Sequence, residues 1–237
     1  ACVMVSSVLF GTGLIVPNLP AVADACTRHG AELLIDSYHS LGVVPFSLKG
    51  MESAFVIGGG YKYLQLGEGN CVLRVPPECE MRPVLTGWFA EFAELADTRV
   101  PGEVRYGVGP ARFAGSTYDP TSQYRGAAVL DFFDQQGLTP ERLREINQHQ
   151  VGLLRNEFLS LDLDPDVARL EADVPMEERG GFLALECADA DALFRALLEQ
   201  GVRTDYRGSV LRFGPAPYLS DQQLRDAMGV LGEVARN

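Results

Sequence analysis

The sequence has very little lysine. Lys49 and Lys62 are the two lysines among 20 basic residues, and the formal charge of the 237-residue chain is −12. Binding to nucleic acid or to an anionic membrane needs clustered cationic side chains that neutralise phosphate groups. The sequence shows no such cluster, so we expect neither partner and expect the ligand to be a small molecule.

Long apolar runs are also missing. No stretch of 18 apolar residues occurs, and the first residues do not form a basic segment followed by an apolar one. Membrane-spanning helices and secretory signal peptides need those features. The sequence therefore predicts a soluble, cytoplasmic protein with no membrane partner.

Cysteines are few, odd in number and scattered. None of the five lies in a CxxC pair or at the Cys/His spacing of a zinc site, which argues against a disulfide framework and against a metal site. We expect all of them to be buried thiols: Cys2, Cys26, Cys71, Cys79 and Cys187.

What the sequence does contain, over its first 75 residues, is a series of short apolar runs separated by amphipathic stretches. That pattern predicts an α/β fold with a mainly parallel sheet. The predicted strands are "CVMVSSVLF", the buried "AELLID", "SAFVIGG" and "CVLRVP", and "NLPAVADACTRHG" is predicted to be a helix that stops at Gly30.

The remainder of the chain divides into three further parts. An irregular region rich in Pro, Gly and aromatic residues covers 76–125, and long loops of this kind usually carry function or form interfaces. Two predicted helices follow, the second with Thr139 as N-cap and Pro140 in its first turn. From about residue 180 a strand–helix–strand–helix pattern ends in a helix with a capping box at Ser220 and Gln223.

From these patterns we predict three parts. Residues 1–125 form part of a large domain, 126–160 form connecting helices, and 161–237 form a small C-terminal α+β domain.

Asp36 and Lys62 are the first candidate site residues, because each follows the carboxyl end of a predicted strand. Open α/β sheets bind their ligands at that edge. Lys62 lies between two tyrosines after three glycines, in "GGGYKYL", which suits a partly buried amine with a lowered pKa. A lysine and an aspartate are the two groups that a pyridoxal phosphate site needs, one for the Schiff base and one for the pyridine nitrogen. The alternatives are a surface lysine and an aspartate that caps a turn.

Five ordered segments resemble the kynureninases, within the class V, fold-type I pyridoxal phosphate enzymes. The segments are "LLIDSYHSLG", "GGGYKYLQLGEGN", "RPVLTGWF", "FAGST" and "DYRGSVLRFGPAPYLS". The resemblance spans nearly the whole chain and implies the C-terminal portion of such an enzyme. It implies a pyridoxal 5'-phosphate cofactor, an amino-acid substrate and a homodimer.

The resemblance assigns the cofactor contacts residue by residue. Lys62 would form the Schiff base and move the proton, Asp36 would pair with the pyridine nitrogen, and His39 would lie near the ring hydroxyl or the phosphate. Tyr61 and Trp88 would donate hydrogen bonds to the phosphate.

Two further residues receive roles from the resemblance. Thr117 would reach the cofactor from the neighbouring subunit, and Arg212 would bind the substrate α-carboxylate, a task that suits its planar guanidinium. An arginine within the apolar strand "VLRFG" needs an anionic partner. That partner is either the substrate or a structural Asp or Glu.

The resemblance implies hydrolysis of kynurenine or a related amino acid at its Cβ–Cγ bond, which would give anthranilate and alanine. An aminotransferase or lyase of the same superfamily and an inactive interaction domain are the alternatives. A cysteine desulfurase is disfavoured, since 201–211 contains no cysteine.

The chain departs from the family pattern at Tyr38, where kynureninases usually have alanine. It also lacks the first 150 or so residues of such enzymes. We therefore expect no activity from the fragment alone.

Overall fold

A computed structural model of the protein describes residues 1–97 and 100–236. It contains two four-stranded sheets. The first has the strand order β1-β2-β3-β4, in which β1, β2 and β3 are parallel and β4 is antiparallel to β3. The predicted mainly parallel sheet is thus confirmed, with these strands: β1 Cys2–Ser6, β2 Glu32–Asp36, β3 Phe55–Gly59 and β4 Cys71–Arg74.

One face of the first sheet is covered by helix α1, Leu19–Arg28. The helix buries Leu19, Ala23 and Cys26, and this stripe packs in one cluster with Leu33 and Ile35 of β2. The helix ends before Gly30, whose positive φ of 61° is a backbone conformation that glycine adopts without strain.

Burial in the first sheet is less complete than the apolar sequence predicts. Strand β2 alternates, with Leu33 and Ile35 buried and Leu34 only half-buried. At the sheet edge, Met4 of β1 is 72% exposed. The predicted buried strand "AELLID" is therefore buried on one face, at Leu33 and Ile35, and only half-buried at Leu34 on the other.

The described residues of 76–120 are irregular, as predicted, apart from two 3₁₀ helices, Trp88–Glu94 and Gly109–Phe113. Residues 121–125, also predicted to be irregular, instead begin a helix. They are tied together where the Phe89 N–H donates to the Gly115 carbonyl oxygen at 3.0 Å. The motifs "TGWF" and "FAGST" therefore form one local unit.

The second sheet is antiparallel, with strand order β5-β6-β8-β7. It packs against the long helices that precede and follow it in one apolar core. This is the small α+β unit that the sequence predicts. Its strands are β5 Ala168–Leu170, β6 Leu183–Cys187, β7 Asp205–Arg207 and β8 Val210–Phe213.

Strands β5 and β7 were not predicted. Each is three residues long, which is too short for an alternating pattern to be recognised.

Four helices lie outside the first sheet, and their positions match the sequence prediction closely. Thr139 accepts from the Arg142 N–H as the N-cap of α3, and Ser220 and Gln223 form the capping box of α5. The helices are α2 Thr121–Gln135, α3 Pro140–Ser160, α4 Ala190–Glu199 and α5 Asp221–Val234. The C-terminal part of α3 belongs to the second core, and the boundaries at 125 and 160 stay a prediction.

The two sheets meet through close backbone contacts at Gly180 and Gly181. The Gly180 N–H donates to the Gly13 carbonyl oxygen at 2.6 Å. A Cβ at Gly180 would lie 2.6 Å from Val8, and one at Gly181 would overlap the Tyr63 ring. Larger residues at these two glycines would push the sheets apart.

The cysteine prediction was partly wrong. Cys26 and Cys187 are buried, but Cys2 and Cys71 are exposed and Cys79 is half-buried, all as free thiols. Cys2 and Cys71 lie on the edge strands β1 and β4, where the described residues leave them exposed. Within 1–97 and 100–236, no cluster of His, Cys, Asp and Glu could hold a metal ion, and no helix is long and apolar enough to cross a membrane.

We predict that Ser220→Ala lowers the free energy of unfolding by about 1 kcal/mol, because it removes the oxygen that accepts from the Gln223 N–H at the start of α5. Urea unfolding followed by circular dichroism measures the change. Ser53→Ala, at an exposed serine in a turn, is the matched control and should leave the midpoint unchanged. Equal midpoints for both variants would contradict a stabilising cap.

Candidate functional site

Asp36 and Lys62 lie at the same edge of the first sheet, as predicted. Asp36 is the last residue of β2, and Lys62 follows the end of the parallel strand β3 by three residues. The Asp36 Oδ1 accepts from the Tyr38 N–H at 2.9 Å, and the Ser6 Oγ lies 3.5 Å from its Oδ2. These contacts fix the carboxylate at the strand end.

A cavity of about 280 Å³ lies between this edge and the second sheet. It brings together three residues proposed from the sequence, His39, Lys62 and Arg212. Residues of both sheets line it: His39, Lys62, Tyr63, Phe182, Arg203, Thr204, Asp205, Arg212 and Gly214. A polar cavity that combines an amine, an imidazole and guanidinium groups suits an anionic ligand.

The Lys62 amine lies in an environment that lowers its pKa. Burial is the main cause, the positive charge of Arg212 adds to it, and the Asp205 carboxylate partly opposes it. The Nζ atom lies 5.7 Å from the centre of the Tyr61 ring. A lysine that is more readily neutral than usual can act as a nucleophile or as a base.

His39 is neutral at physiological pH in this environment. Burial, followed by the positive charges of Lys62 and Arg212, lowers its pKa to about 4. Its ring packs edge-on against Phe182 at 5.7 Å between centroids. Its buried Nδ1 has no hydrogen-bond partner among the described residues, so it is available to a ligand.

Arg212 has an anionic partner, as its place in an apolar strand requires. Its side chain is 9% exposed and forms an ion pair with Asp205. It also donates to the Phe10 carbonyl oxygen and lies 5.4 Å from the centre of the Phe182 ring. Asp205 is therefore the structural carboxylate that pairs with Arg212. Binding of a substrate α-carboxylate by Arg212 stays a prediction.

The glycine run before Lys62 allows side chains to approach the end of β3. A Cβ at Gly58 would lie 2.5 Å from Leu41, one at Gly59 would lie 2.5 Å from the Tyr38 ring, and one at Gly60 would lie 2.5 Å from Leu66. All three distances are shorter than real Cβ contacts. The run thus positions the turn that carries Lys62.

Tyr38 packs beside the Lys62 cavity, on the β3–β4 side. Its ring lies 5.6 Å from the Tyr61 ring, and a hydrogen bond with Cys71, assisted by burial, raises the pKa of its phenol to about 12. Tyr38 is not among the residues that line the cavity in the described part of the chain. The phenol therefore tilts toward β4.

Three proposed phosphate and cofactor contacts are outside the lining of the cavity in the described ranges: Tyr61, Trp88 and Thr117. Tyr61 is 38% exposed but still lies beside Lys62, whose Nζ is 5.7 Å from the centre of its ring. Trp88 is 47% exposed and packs against Phe89 at 4.4 Å between ring centroids. Thr117 is also exposed.

Sequence reasoning missed several cavity residues from the small α+β unit. The hairpin of β7 and β8 turns at Gly208 and Ser209, which sets the register in which Asp205 lies opposite Arg212. A sequence analysis that assigned Gly208 and Ser209 as a two-residue hairpin turn would have placed Asp205 opposite Arg212. Phe182, Arg203 and Thr204 carried no comparable signal.

Comparison with known proteins identifies relatives of the chain. Residues 157–231 match the family described as the kynureninase C-terminal domain. The chain is 31% identical to the kynureninase of Pseudomonas fluorescens over 99% of its own length and 56% of the relative. It is 27% identical to the kynureninase of Bacillus cereus over 100% of its own length and 55% of the relative. The chain thus spans about half the length of these curated relatives.

Among solved structures, the cysteine desulfurase of Thermococcus onnurineus NA1 matches with a TM-score of 0.80. The match covers 99% of this chain and 60% of that protein at 15% identity. At this identity the similarity establishes the fold alone, which is that of the C-terminal part of fold-type I enzymes. Residues 157–231 thus match the kynureninase C-terminal domain, and the chain as a whole is similar to kynureninases over about half of their length and has the fold of the C-terminal part of fold-type I enzymes.

Proposed function

We propose that the intact protein is a pyridoxal phosphate-dependent hydrolase that cleaves the Cβ–Cγ bond of kynurenine or a related amino acid with a γ-carbonyl group. The observation that carries the proposal is the single cavity that joins Lys62, His39 and Arg212 beside Asp36. The similarity to kynureninases along the whole chain supports the same reaction.

The donor set fits the cofactor. Asp36 supplies a carboxylate for the pyridine nitrogen, Lys62 supplies an amine with a lowered pKa, and the buried Nδ1 of His39 lacks a partner in the described structure. Pyridoxal phosphate, when bound, supplies the electron sink that weakens bonds at the substrate α-carbon. Asp36, His39 and Lys62 would hold it.

Lys62 has two tasks in this proposal, which are to bind the cofactor and then to move a proton at its Nζ. Burial and the charge of Arg212 lower its pKa, so a larger fraction of the amine is neutral at a given pH. Catalysis by a general base is most efficient when the pKa of the base lies near the working pH. The environment of Lys62 lowers the pKa of its amine toward the working pH.

Arg212 would bind the substrate α-carboxylate. Its guanidinium is almost fully buried and lines the same cavity as Lys62. Hydrolysis then adds one water across the bond that breaks, with the hydroxyl going to the γ-carbonyl carbon and a proton to Cβ. The products from kynurenine are anthranilate and alanine.

A second copy of the protein would complete the site. Trp88 and Thr117 lie exposed on neighbouring segments, joined by the hydrogen bond from Phe89 to Gly115. Their exposure, and their absence from the cavity lining in the described ranges, support the proposal that they reach the cofactor of a partner in a homodimer. The cytoplasmic location expected from the sequence stays a prediction.

We predict that Lys62→Ala abolishes the absorbance band that pyridoxal phosphate gives between about 410 and 430 nm when it is bound to a lysine. The intact protein is incubated with the cofactor, dialysed and scanned. Lys49→Ala is the matched control, since Lys49 is the other lysine of the sequence given. A band that survives in Lys62→Ala would contradict the assignment, and its absence in the unmodified protein would favour an inactive interaction domain.

We also predict that the intact enzyme releases anthranilate from kynurenine, seen as blue fluorescence, with one alanine formed per anthranilate. Lys62→Ala should lower the rate by at least about a thousandfold, since it removes the residue that binds the cofactor and moves the proton. Keto-acid formation from an amino donor without anthranilate would instead identify an aminotransferase.

The stability of the fold should depend on the protonation of His39. Unfolded histidine takes up a proton near pH 6.5, whereas His39 in the fold does so near pH 4. The unfolded chain therefore binds more protons between these values, and stability falls as the pH drops through this window. Replacing His39 by Gln should flatten that part of the stability–pH curve and should remove an imidazole NMR signal that titrates near pH 4. A His39 signal that titrates near 6.5 would contradict the structure.

A further inference from the structure

We propose that Asp205 is a positioning residue, which holds the Arg212 guanidinium in the orientation that receives the substrate α-carboxylate. The inference rests on the proposed function, because it assigns a task to the partner of the proposed carboxylate-binding arginine. It rests on the contacts of Arg212 with Asp205, Phe10 and Phe182 and on the charges of the residues around the cavity.

The fold places Asp205 beside Arg212 through strand register. Strands β7 and β8 form a tight hairpin in which Arg207 is opposite Val210 and Asp205 is opposite Arg212. Gly208 in the turn has a φ of 58°, which suits the two-residue turns that fix hairpin register. A slip of one residue would turn the carboxylate to the other face of the sheet.

The guanidinium is held on two edges and one face. One terminal nitrogen pairs with the Asp205 carboxylate, and the other donates to the Phe10 carbonyl oxygen. Phe182 lies 5.4 Å from the guanidinium carbon across the ring face. A guanidinium has five N–H donors, so these two hydrogen bonds orient it and still leave donors for a carboxylate in the cavity.

Asp205 does not cancel the positive charge of the site. Its second oxygen, Oδ1, accepts from Arg207 at 2.6 Å, so one carboxylate is shared by two guanidinium groups. Two guanidinium groups line the cavity, those of Arg203 and Arg212, and among the described lining residues Asp205 supplies the one carboxylate. The site therefore attracts a second anion, and Asp205 need not leave when that anion binds.

Loss of Asp205 should weaken binding of the substrate carboxylate in particular. Without it, Arg212 keeps its charge but is held by Phe10 and Phe182 alone, so it can turn away from the cavity. Loss of one hydrogen bond to a charged group changes a binding constant by about ten- to hundredfold. The effect should appear in KM for carboxylate-bearing ligands and much less in kcat.

The test compares Asp205→Asn with the unmodified intact enzyme. We expect KM for kynurenine to rise about ten- to hundredfold, while kcat falls less than about threefold. Binding of the kynurenine analogue that lacks the α-carboxylate should stay unchanged, as followed by the change in cofactor absorbance. Asp205→Glu should recover part of the loss. Asp173→Asn is the matched control, because Asp173 pairs with Arg155 outside the lining of the cavity.

A double-mutant cycle with Arg212→Lys separates positioning from general damage. If Asp205 acts through Arg212, the two substitutions together cost no more than Arg212→Lys alone. Additive losses, or equal losses for kynurenine and its decarboxylated analogue, would overturn the inference. So would an Asp205→Asn enzyme with an unchanged KM.

The inference and the proposed function can fail separately. An unmodified enzyme that shows no lysine-bound cofactor band and no anthranilate rejects the proposed function. An enzyme that has both, with Asp205→Asn behaving like the Asp173→Asn control, rejects the positioning role alone.

Discussion

The close approach of the two sheets at Gly180 and Gly181 is the contact on which the site depends. Neither sheet contains the cavity by itself, since Lys62 and His39 follow strands of the first sheet and Arg212 lies in the second. The absence of side chains at these two glycines lets Val8 and Tyr63 pack directly against the backbone. Phe182, the next residue, then reaches both the His39 ring and the Arg212 guanidinium.

The packing of the two sheets also changes the pKa values of the ionisable side chains between them. Burial between the sheets lowers the pKa of both Lys62 and His39, and the positive charge of Arg212 lowers both further. Arg212 can be buried there because Asp205 and the Phe10 carbonyl oxygen satisfy it. A guanidinium that is paired and still lines an open cavity can bind an anion without a large rearrangement, which is the property that a carboxylate site requires.

A protein named as a cysteine desulfurase shares this fold at 15% identity. A reaction therefore has to be argued from the site and not from the architecture. The proposed hydrolysis of a γ-carbonyl amino acid rests on the ordered motifs and on the similarity to kynureninases along the chain. Tyr38 adds a local difference, because its phenol leans toward Cys71 and leaves the Lys62 cavity to the other residues.

The sequence by itself determined the four strands of the first sheet, the capped helices and the placement of Asp36 and Lys62 at or just beyond strand ends. These features follow from local patterns, such as apolar periodicity, Thr139 and Ser220 as caps, and Gly30 as a helix stop. Only the tertiary structure decided which side chains meet across the two sheets. Phe182, which follows the contact at Gly181, and Arg212 of the second sheet line one cavity with His39 and Lys62, which follow strands of the first sheet. Such contacts join residues far apart in sequence, and no local propensity encodes them.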